Sequence, residues 1–242
     1  MPGMITLYEL AGADAPRRFS PYCWRARMSL RHKGLAFEGV PWRLVEKDRL
    51  APAGAKLVPV IRDGETWVHD SMAIAEYLEE RYPDRPSLFG GTHGAALARF
   101  VAAWTDRTVQ LHASKPILMD IYASLDPGDR AYFRATREKR FGRRLEEVCP
   151  DPKAELPAFR LLFEPARRVL AKQAYLAGAA PNYADYALYG TFMWWRMVSR
   201  LPPLERADVL SAWLARMDQA CDGEGARALA AAGMAPAGEA CG

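Results

Sequence analysis

The chain changes its hydrophobic pattern once, near residue 90, and this change limits the folds that it can adopt. Before it, strand-like alternation and helical spacing follow each other within a short stretch. From residue 95 to about residue 220, only helical spacing recurs. Alternating strands and helices are typical of a mixed sheet covered by helices. The sequence therefore predicts an α/β domain over residues 1–86, a linker near residues 84–94 and an all-helical domain over residues 95–242.

The first domain is predicted to have the element order β-α-β-β-β-α. Its first helix starts at Ser20 and ends before Gly34, after a cationic last turn. Asp63-Gly64 supplies turn chemistry between two short strands. The predicted strands cover residues 4–10, 37–42, 58–61 and 66–69. The predicted helices cover residues 20–33 and 71–82.

The net charge of +4 does not point to a nucleic-acid partner. The arginines alternate with acidic residues, whereas a DNA-binding surface needs a basic stripe that neutralises several phosphates. A mildly basic pocket for an anionic small molecule is a better explanation of the surplus. No apolar run approaches the roughly 20 residues that cross a bilayer, and the first residues lack the pattern of a signal peptide. We therefore expect a soluble, cytoplasmic protein without a membrane partner.

The four cysteines and four histidines show no metal-binding spacing, so no metal is expected. Widely separated cysteines favour reduced thiols over a disulfide framework. Cys23 lies one helical turn after Ser20. Two interpretations of Cys23 stay open: a packed core thiol, and an oxidation-sensitive thiol that forms a mixed disulfide.

Ser20-Pro21 at the start of the first helix also has two interpretations. Ser is a preferred N-cap and Pro is favoured in the first turn, so the pair could simply begin a helix. Alternatively, Ser20-Pro21-Tyr22-Cys23 resembles the Cys-Pro-Tyr-Cys redox motif of glutaredoxins with its first cysteine replaced by serine. A helix N-terminus stabilises a thiolate. With serine at position 20, that thiolate has to come from a ligand.

Two further dipeptides of the first domain lie where glutaredoxin-like proteins would place their ligand. Val58-Pro59 precedes a buried-looking strand, and Asp70-Ser71 begins the second helix of the domain. In the helical domain, Asn182 and Asp185 form a predicted capping box, which gives Asp185 a structural role. In order and spacing these motifs resemble the cytosolic glutathione transferase family. The resemblance implies a thioredoxin-like N-terminal domain followed by the all-helical glutathione-transferase C-terminal domain, and a homodimer.

The resemblance also implies a glutathione site. Ser20 would donate a hydrogen bond to the glutathione sulfur, and the backbone of Val58, before a cis-Pro59, would pair with the cysteinyl backbone. Asp70 and Ser71 would bind the γ-glutamyl amine and carboxylate. The glycyl carboxylate is expected near Lys56, with Trp42 beside it. A thiol pKa lowered from about 8.5 to about 6.5 raises the ionised fraction at pH 7 from roughly 3% to about 75%.

Longer stretches, above all Ser20–Arg25 and Asp70–Pro86, are similar to the branch that contains bacterial lignin β-aryl-etherases and fungal transferases that bind wood-derived phenolics. This resemblance implies that the glutathione thiolate attacks a hydrophobic aromatic electrophile, with cleavage of β-aryl ethers as the most specific reaction. Two alternatives stay open: a general conjugating or peroxide-reducing transferase, and a non-catalytic carrier of hydrophobic aromatics. The acceptor is expected in the cleft between the domains, near Tyr22, Trp104, Tyr122 and Trp195.

Overall fold

The computed structural model describes residues 4–235, and its N-terminal domain is built on a four-stranded mixed sheet. The strand order is β2-β1-β3-β4. β1 and β2 are parallel with Ile5 opposite Phe37, whereas β3 is antiparallel to both β1 and β4. The strands are β1 (Ile5–Leu10), β2 (Phe37–Trp42), β3 (Val60–Asp63) and β4 (Thr66–His69).

Two helices complete this domain, α1 (Pro21–His32) and α2 (Ser71–Arg81). The element order β-α-β-β-β-α is therefore confirmed. The segment predicted to be irregular contains one short 3₁₀ stretch, Lys47–Ala53. The turn of the β3–β4 hairpin lies one residue later than predicted, because Asp63 pairs with Thr66 and leaves Gly64 and Glu65 as the loop. Gly64 has a φ of 59°, a conformation that glycine adopts without strain.

The second domain contains helices and connecting loops but no strand within the described residues, apart from an isolated β-bridge between Tyr175 and Gly178. The helix that begins at the predicted capping box runs over residues 183–198, and a short helix of seven residues covers residues 118–124. No helix within residues 4–235 is long and apolar enough to cross a membrane. The helices are α3 (Thr92–Trp104), α4 (Gln110–Ala113), α5 (Leu118–Ser124), α6 (Pro127–Phe141), α7 (Leu145–Val148), α8 (Leu156–Leu161), α9 (Glu164–Leu170), α10 (Tyr183–Val198) and α11 (Val209–Ala231), with a π-helical turn (Thr105–Val109) between α3 and α4.

The Ala/Gly-rich stretch after Gly223 packs against the N-terminal domain. Within α11 the backbone is non-helical from Ala220 to Gly223, and the helix then continues to Ala231. Glu224 directly after this break is buried and forms ion pairs with Arg27 and Arg31 of α1. Part of the helical domain therefore covers α1. The predicted domain residues 236–242, including Cys241, lie outside the described residues.

The two domains meet where α1 packs on α10. A Cβ added to Gly190 of α10 would lie 2.3 Å from the carbonyl oxygen of Pro21, so only glycine permits this approach. Next to it, the rings of Trp24 and Tyr189 meet edge to face, with centroids 6.2 Å apart. Since Pro21 follows Ser20 directly, α10 fixes the position of the N-terminus of α1.

The predicted capping box at the start of α10 is confirmed. Asn182 Oδ1 accepts a hydrogen bond from the Ala184 N–H, and the Asp185 carboxylate accepts one from the Asn182 N–H. Asp185 is fully buried and also accepts the indole N–H of Trp213 at 2.9 Å. Each of these bonds satisfies a backbone or side-chain donor, and Asp185 therefore has the structural role that the sequence predicted.

Candidate functional site

Ser20 caps α1 and lines a cavity between the two domains. Its Oγ accepts a hydrogen bond from the Cys23 N–H at 3.3 Å, and its side chain is 5% exposed. A serine hydroxyl has one proton to donate and two lone pairs. The cap uses one lone pair, so the hydroxyl can still donate its proton into the cavity. The two interpretations of Ser20 are thus compatible in this geometry.

The cavity has a volume of about 290 Å³ and lies between the sheet domain and the helical domain. Most of its wall is apolar. The N-terminal domain contributes Phe19, Leu44 and Leu57, and the helical domain contributes Leu118, Ile121 and Trp194. An apolar cavity with a few polar groups is the usual form of a small-molecule site.

Asp70 and Ser71 lie at the N-terminus of α2, as predicted. Asp70 Oδ1 accepts the N–H groups of Met72 and Ala73 at 2.9 and 3.0 Å. Its second carboxylate oxygen is left for a cation, and the Asp70 backbone has a φ of 74°, in the left-handed region. Ser71 is buried at the helix N-terminus, where the dipole favours an anion. Asp70 and Ser71 lie outside the wall of the cavity, and the two groups that they offer at the start of α2 can hold an ammonium and a carboxylate.

The peptide bond between Val58 and Pro59 is cis. Val58 lines the cavity, and no backbone hydrogen bond joins it to another of the described residues. Pro59 is buried, whereas Lys56 is exposed. Trp42, expected beside Lys56, is 1% exposed and donates its indole N–H to the Glu46 carbonyl. Val58 thus has an unpaired backbone next to Ser20, and Trp42 contributes to the wall mainly through its ring.

Of the four residues predicted to contact the acceptor, only Tyr22 lies in the wall of the cavity. Tyr22 lines the cavity, and burial raises the pKa of its phenol, with the charge of Asp106 as a further cause. Trp104 and Tyr122 are half-buried and lie outside the cavity wall. Trp195 is 1% exposed, stacks on Phe159 and belongs to the core. The prediction for Trp195 is therefore corrected.

Trp194 takes the place that was expected for Trp195. One residue along an α-helix rotates a side chain by about 100°, and this rotation separates a core position from the cavity wall. The helical segments that follow Trp104 and that contain Trp195 both contribute other residues to the wall, namely Asp106, Gln110 and Leu111 from the first and Trp194 from the second. The sequence therefore located the segments but not the side chains.

An ion pair at the cavity, with its arginine buried and its aspartate partly exposed, was not anticipated. Arg25 of α1 donates to Asp106 at 2.6 Å, and Asp106 lines the cavity. Arg25 is 2% exposed, and its guanidinium lies 4.9 Å from the centre of the Tyr22 ring. The sequence did contain a signal for this pair, because Arg25 falls at a buried position of α1, five residues after Ser20. A buried charge needs a partner of opposite charge.

Cys23 is a core thiol, as the first of its two interpretations proposed. It is fully buried, and burial, assisted by the charge of Glu9, raises its pKa to about 12. The thiolate is the reactive form of cysteine, so this environment suppresses its reactivity. Within residues 4–235, no group of three or more His, Cys, Asp or Glu side chains could hold a metal ion.

Comparison with known proteins identifies the family. Residues 17–86 match the glutathione S-transferase N-terminal domain, and residues 96–222 match the C-terminal domain. A zeta-class glutathione S-transferase of Euphorbia esula is 32% identical over 112 residues, which are 44% of this chain and 50% of that protein. The chain thus matches about half the length of this curated relative.

Solved structures resemble the whole chain. A glutathione S-transferase of Ceriporiopsis subvermispora, crystallised with glutathione, has 26% identity and a TM-score of 0.72, covering 96% of this chain and 97% of the other. The glutathione transferase GSTFuA2 of Phanerochaete chrysosporium gives the same identity, TM-score and coverage. The two matched domains together span most of the sequence. This chain therefore belongs to the glutathione S-transferase family.

Proposed function

We propose that this protein binds glutathione with its sulfur at Ser20 and transfers it to an aromatic electrophile held in the cavity. The observation that carries the proposal is the position of Ser20, which is both the N-cap of α1 and a residue of the wall of the apolar cavity. Hydrogen-bond donors and the helix dipole favour the thiolate over the thiol. The apolar wall suits the acceptor.

The γ-glutamyl end of glutathione carries an ammonium and a carboxylate, and Asp70 and Ser71 match these two charges in our proposal. The unpaired backbone of Val58 would hydrogen-bond the cysteinyl unit, as one strand pairs with another. Lys56 is exposed nearby, where its charge would reach the glycyl carboxylate. These contacts would place the sulfur beside Ser20.

The proposed reaction is a displacement at carbon. The ionised sulfur forms a C–S bond to the electrophilic carbon of the acceptor, and the leaving group departs with the electrons of its own bond. In the most specific version the leaving group is an aryloxide, and the reaction cleaves a β-aryl ether. Ser20 stays a hydrogen-bond donor throughout and forms no covalent bond. Holding both reactants in one cavity adds to the rate, since the encounter becomes intramolecular.

The direct test is incubation with glutathione and three acceptors: a model β-aryl ether, a chloronitroaromatic and a peroxide. Mass spectrometry then detects glutathione adducts and released phenol. Phenol release that disappears in Ser20→Ala supports the etherase reaction. Adducts of the chloronitroaromatic alone, or reduction of peroxide alone, assign a general transferase. Aromatic binding without any product leaves only a carrier, and the transferase proposal then fails.

A further inference from the structure

Helix α6 directs two arginines at the wall of the cavity. Phe133, Arg137, Arg140 and Phe141 all line it. Their spacing of four, three and one residues places them along a single face of a helix. This face therefore combines two aromatic rings with two positive charges, which is an unusual composition for a wall that is otherwise apolar.

Neither arginine has a counter-ion in the part of the chain that the structure describes. Within residues 4–235, no carboxylate forms an ion pair with Arg137 or Arg140. Arg137 donates to Thr136 Oγ1 at 3.0 Å, and its guanidinium lies 4.6 Å from the centre of the Phe133 ring. Arg140 lies 5.6 Å from the centre of the Phe141 ring. Burial, and then the charge of Arg140, lowers the pKa of Arg137. A bound anion would relieve this repulsion.

The carboxylates around this wall already have other partners. Asp106 is paired with Arg25, and Asp129 accepts the N–H groups of Leu44 and Val45 at 3.1 Å each. Glu138, next to Arg137 in sequence, accepts instead from Arg134 at 2.9 Å. Because each of these acceptors is engaged, the positive charge of Arg137 and Arg140 is left for a ligand.

We propose that Arg137 and Arg140 bind a carboxylate of the acceptor, so that the preferred acceptor is an aromatic carboxylic acid. This inference rests on the proposed function, because the acceptor has to occupy the cavity beside glutathione. The planar guanidinium groups match the geometry of a carboxylate, and Phe133 and Phe141 flank the charges with ring surfaces. A neutral acceptor of the same shape would leave the two charges unpaired.

The experiment compares 4-chloro-3-nitrobenzoate with 4-chloro-3-nitrobenzamide, two electrophiles of nearly equal shape. Each kcat/KM is divided by the uncatalysed rate with glutathione, which removes the difference in intrinsic reactivity. We expect the wild-type protein to prefer the acid by about tenfold or more, as for hydrogen bonds to charged groups. Arg137→Gln and Arg140→Gln should each remove most of this preference, which is the ratio of the two acceptors measured in the same variant. Arg143→Gln is the matched control, since Arg143 is exposed and lies outside the cavity wall.

Binding of the two glutathione conjugates, measured by calorimetry, gives a readout that needs no turnover. The carboxylate conjugate should bind about tenfold tighter than the carboxamide conjugate, and Arg137→Gln should equalise them. Equal affinity in the wild-type protein overturns the proposal. A raised KM for glutathione in Arg137→Gln, with the acid preference intact, also overturns it and assigns the arginines to the glycyl carboxylate.

Failure of the proposed function gives a different result. In that case the protein forms no adduct even with a neutral chlorodinitrobenzene, and it binds no glutathione. The arginines are then tested alone, by titrating the free benzoate and benzamide and measuring the tryptophan fluorescence that is quenched in the wild-type protein but not in Trp194→Phe, because the chain has seven tryptophans and Trp194 lines the cavity. Stronger quenching by the benzoate, lost in Arg137→Gln, supports the carboxylate site without glutathione. Equal quenching by both overturns it.

Discussion

Arg25 and Asp106 form an ion pair of 2.6 Å across the boundary between the two domains. Arg25 belongs to α1, which begins directly after Ser20, and Asp106 belongs to the helical domain and lines the cavity. The Arg25 side chain is 2% exposed, whereas that of Asp106 is 29% exposed. This ion pair therefore links the helix that Ser20 caps to the opposite wall of the cavity.

The coupling energy between Arg25 and Asp106 can be measured with a double-mutant cycle of Arg25→Gln and Asp106→Asn. Because Arg25 is buried, each single change leaves an uncompensated group, and we expect a coupling energy of about 2–3 kcal/mol in urea unfolding. The exposed pair Arg62–Glu65 provides the control, with an expected coupling below about 1 kcal/mol. Equal coupling at the two pairs would show that the interdomain contact has no special role.

Gly190→Ala is expected to destabilise the protein. The added methyl would lie 2.3 Å from the Pro21 carbonyl oxygen, so α10 and α1 have to separate. Overpacking of this kind costs about 1–3 kcal/mol, and it should also lower glutathione turnover because Ser20 moves with α1. Gly128→Ala is the matched control, since its nearest contact is a flexible Asp126 side chain at 3.3 Å. Unchanged thermal unfolding of Gly190→Ala would contradict the close approach.

Glu224 is expected to make stability depend on pH. Burial on its own raises the pKa of this carboxyl, but the charges of Arg27 and Arg31 outweigh burial and hold the pKa below its ordinary value. A carboxyl whose pKa is lower in the folded state stabilises the fold above its unfolded pKa of about 4.3. This stabilisation is lost as the pH falls through the folded value.

The measurement is the free energy of unfolding in urea, for the wild-type protein and for Glu224→Gln, from neutral pH down to about pH 3. At neutral pH the variant should be less stable by about 2–3 kcal/mol, because Arg27 and Arg31 each lose a charged partner, and among the described residues only Arg27 keeps a second one, in Glu9. The difference should shrink on acidification. A difference that stays constant over this range would show that Glu224 does not titrate in the way that its ion pairs require.

Cys23 is expected to be unreactive in the folded protein. Its burial and its pKa of about 12 leave almost no thiolate at neutral pH. Alkylation mapped by mass spectrometry should modify Cys23 only after unfolding, whereas the partly exposed Cys149 should react in the native state. Cys23→Ala should retain most of the transferase activity. Glutathione found disulfide-linked to Cys23 in the folded protein would restore the alternative interpretation.

The sequence predicted the fold well because its signals are local. Alternation in β1, the cap at Ser20 and the capping box of Asn182 and Asp185 each depend on residues that are near in the chain. The hairpin turn was displaced by one residue, since Asp63 and Gly64 both have turn chemistry and only the strand register decides between them. The 7-residue helix α5 is too short to show a period of its own.

The candidate site was less predictable because its residues come together through the packing of two domains. Arg25 and Asp106 are 81 residues apart in sequence, and no local pattern joins them. Trp194 and Trp195 are adjacent and chemically equal, and only the rotation of α10 decides which one lines the cavity. The arginines of α6 did have a signal, since Phe133, Arg137, Arg140 and Phe141 share one helical face.

The proposed transferase chemistry depends on Ser20 as the donor to the glutathione sulfur. The most direct measurement is a titration of the ultraviolet thiolate absorbance of glutathione bound to the wild-type protein, to Ser20→Thr and to Ser20→Ala. Calorimetry first confirms that each protein binds glutathione. A stability measurement corrects for the lost cap, which costs about 1 kcal/mol in the alanine variant.

We expect the bound thiol to titrate below about pH 7 in the wild-type protein and in Ser20→Thr, because both offer a hydroxyl to the sulfur. In Ser20→Ala its pKa should return toward the free value of about 8.5. The same low thiol pKa in all three proteins would contradict the role of Ser20, and so would a wild-type complex in which the thiol titrates like that of free glutathione.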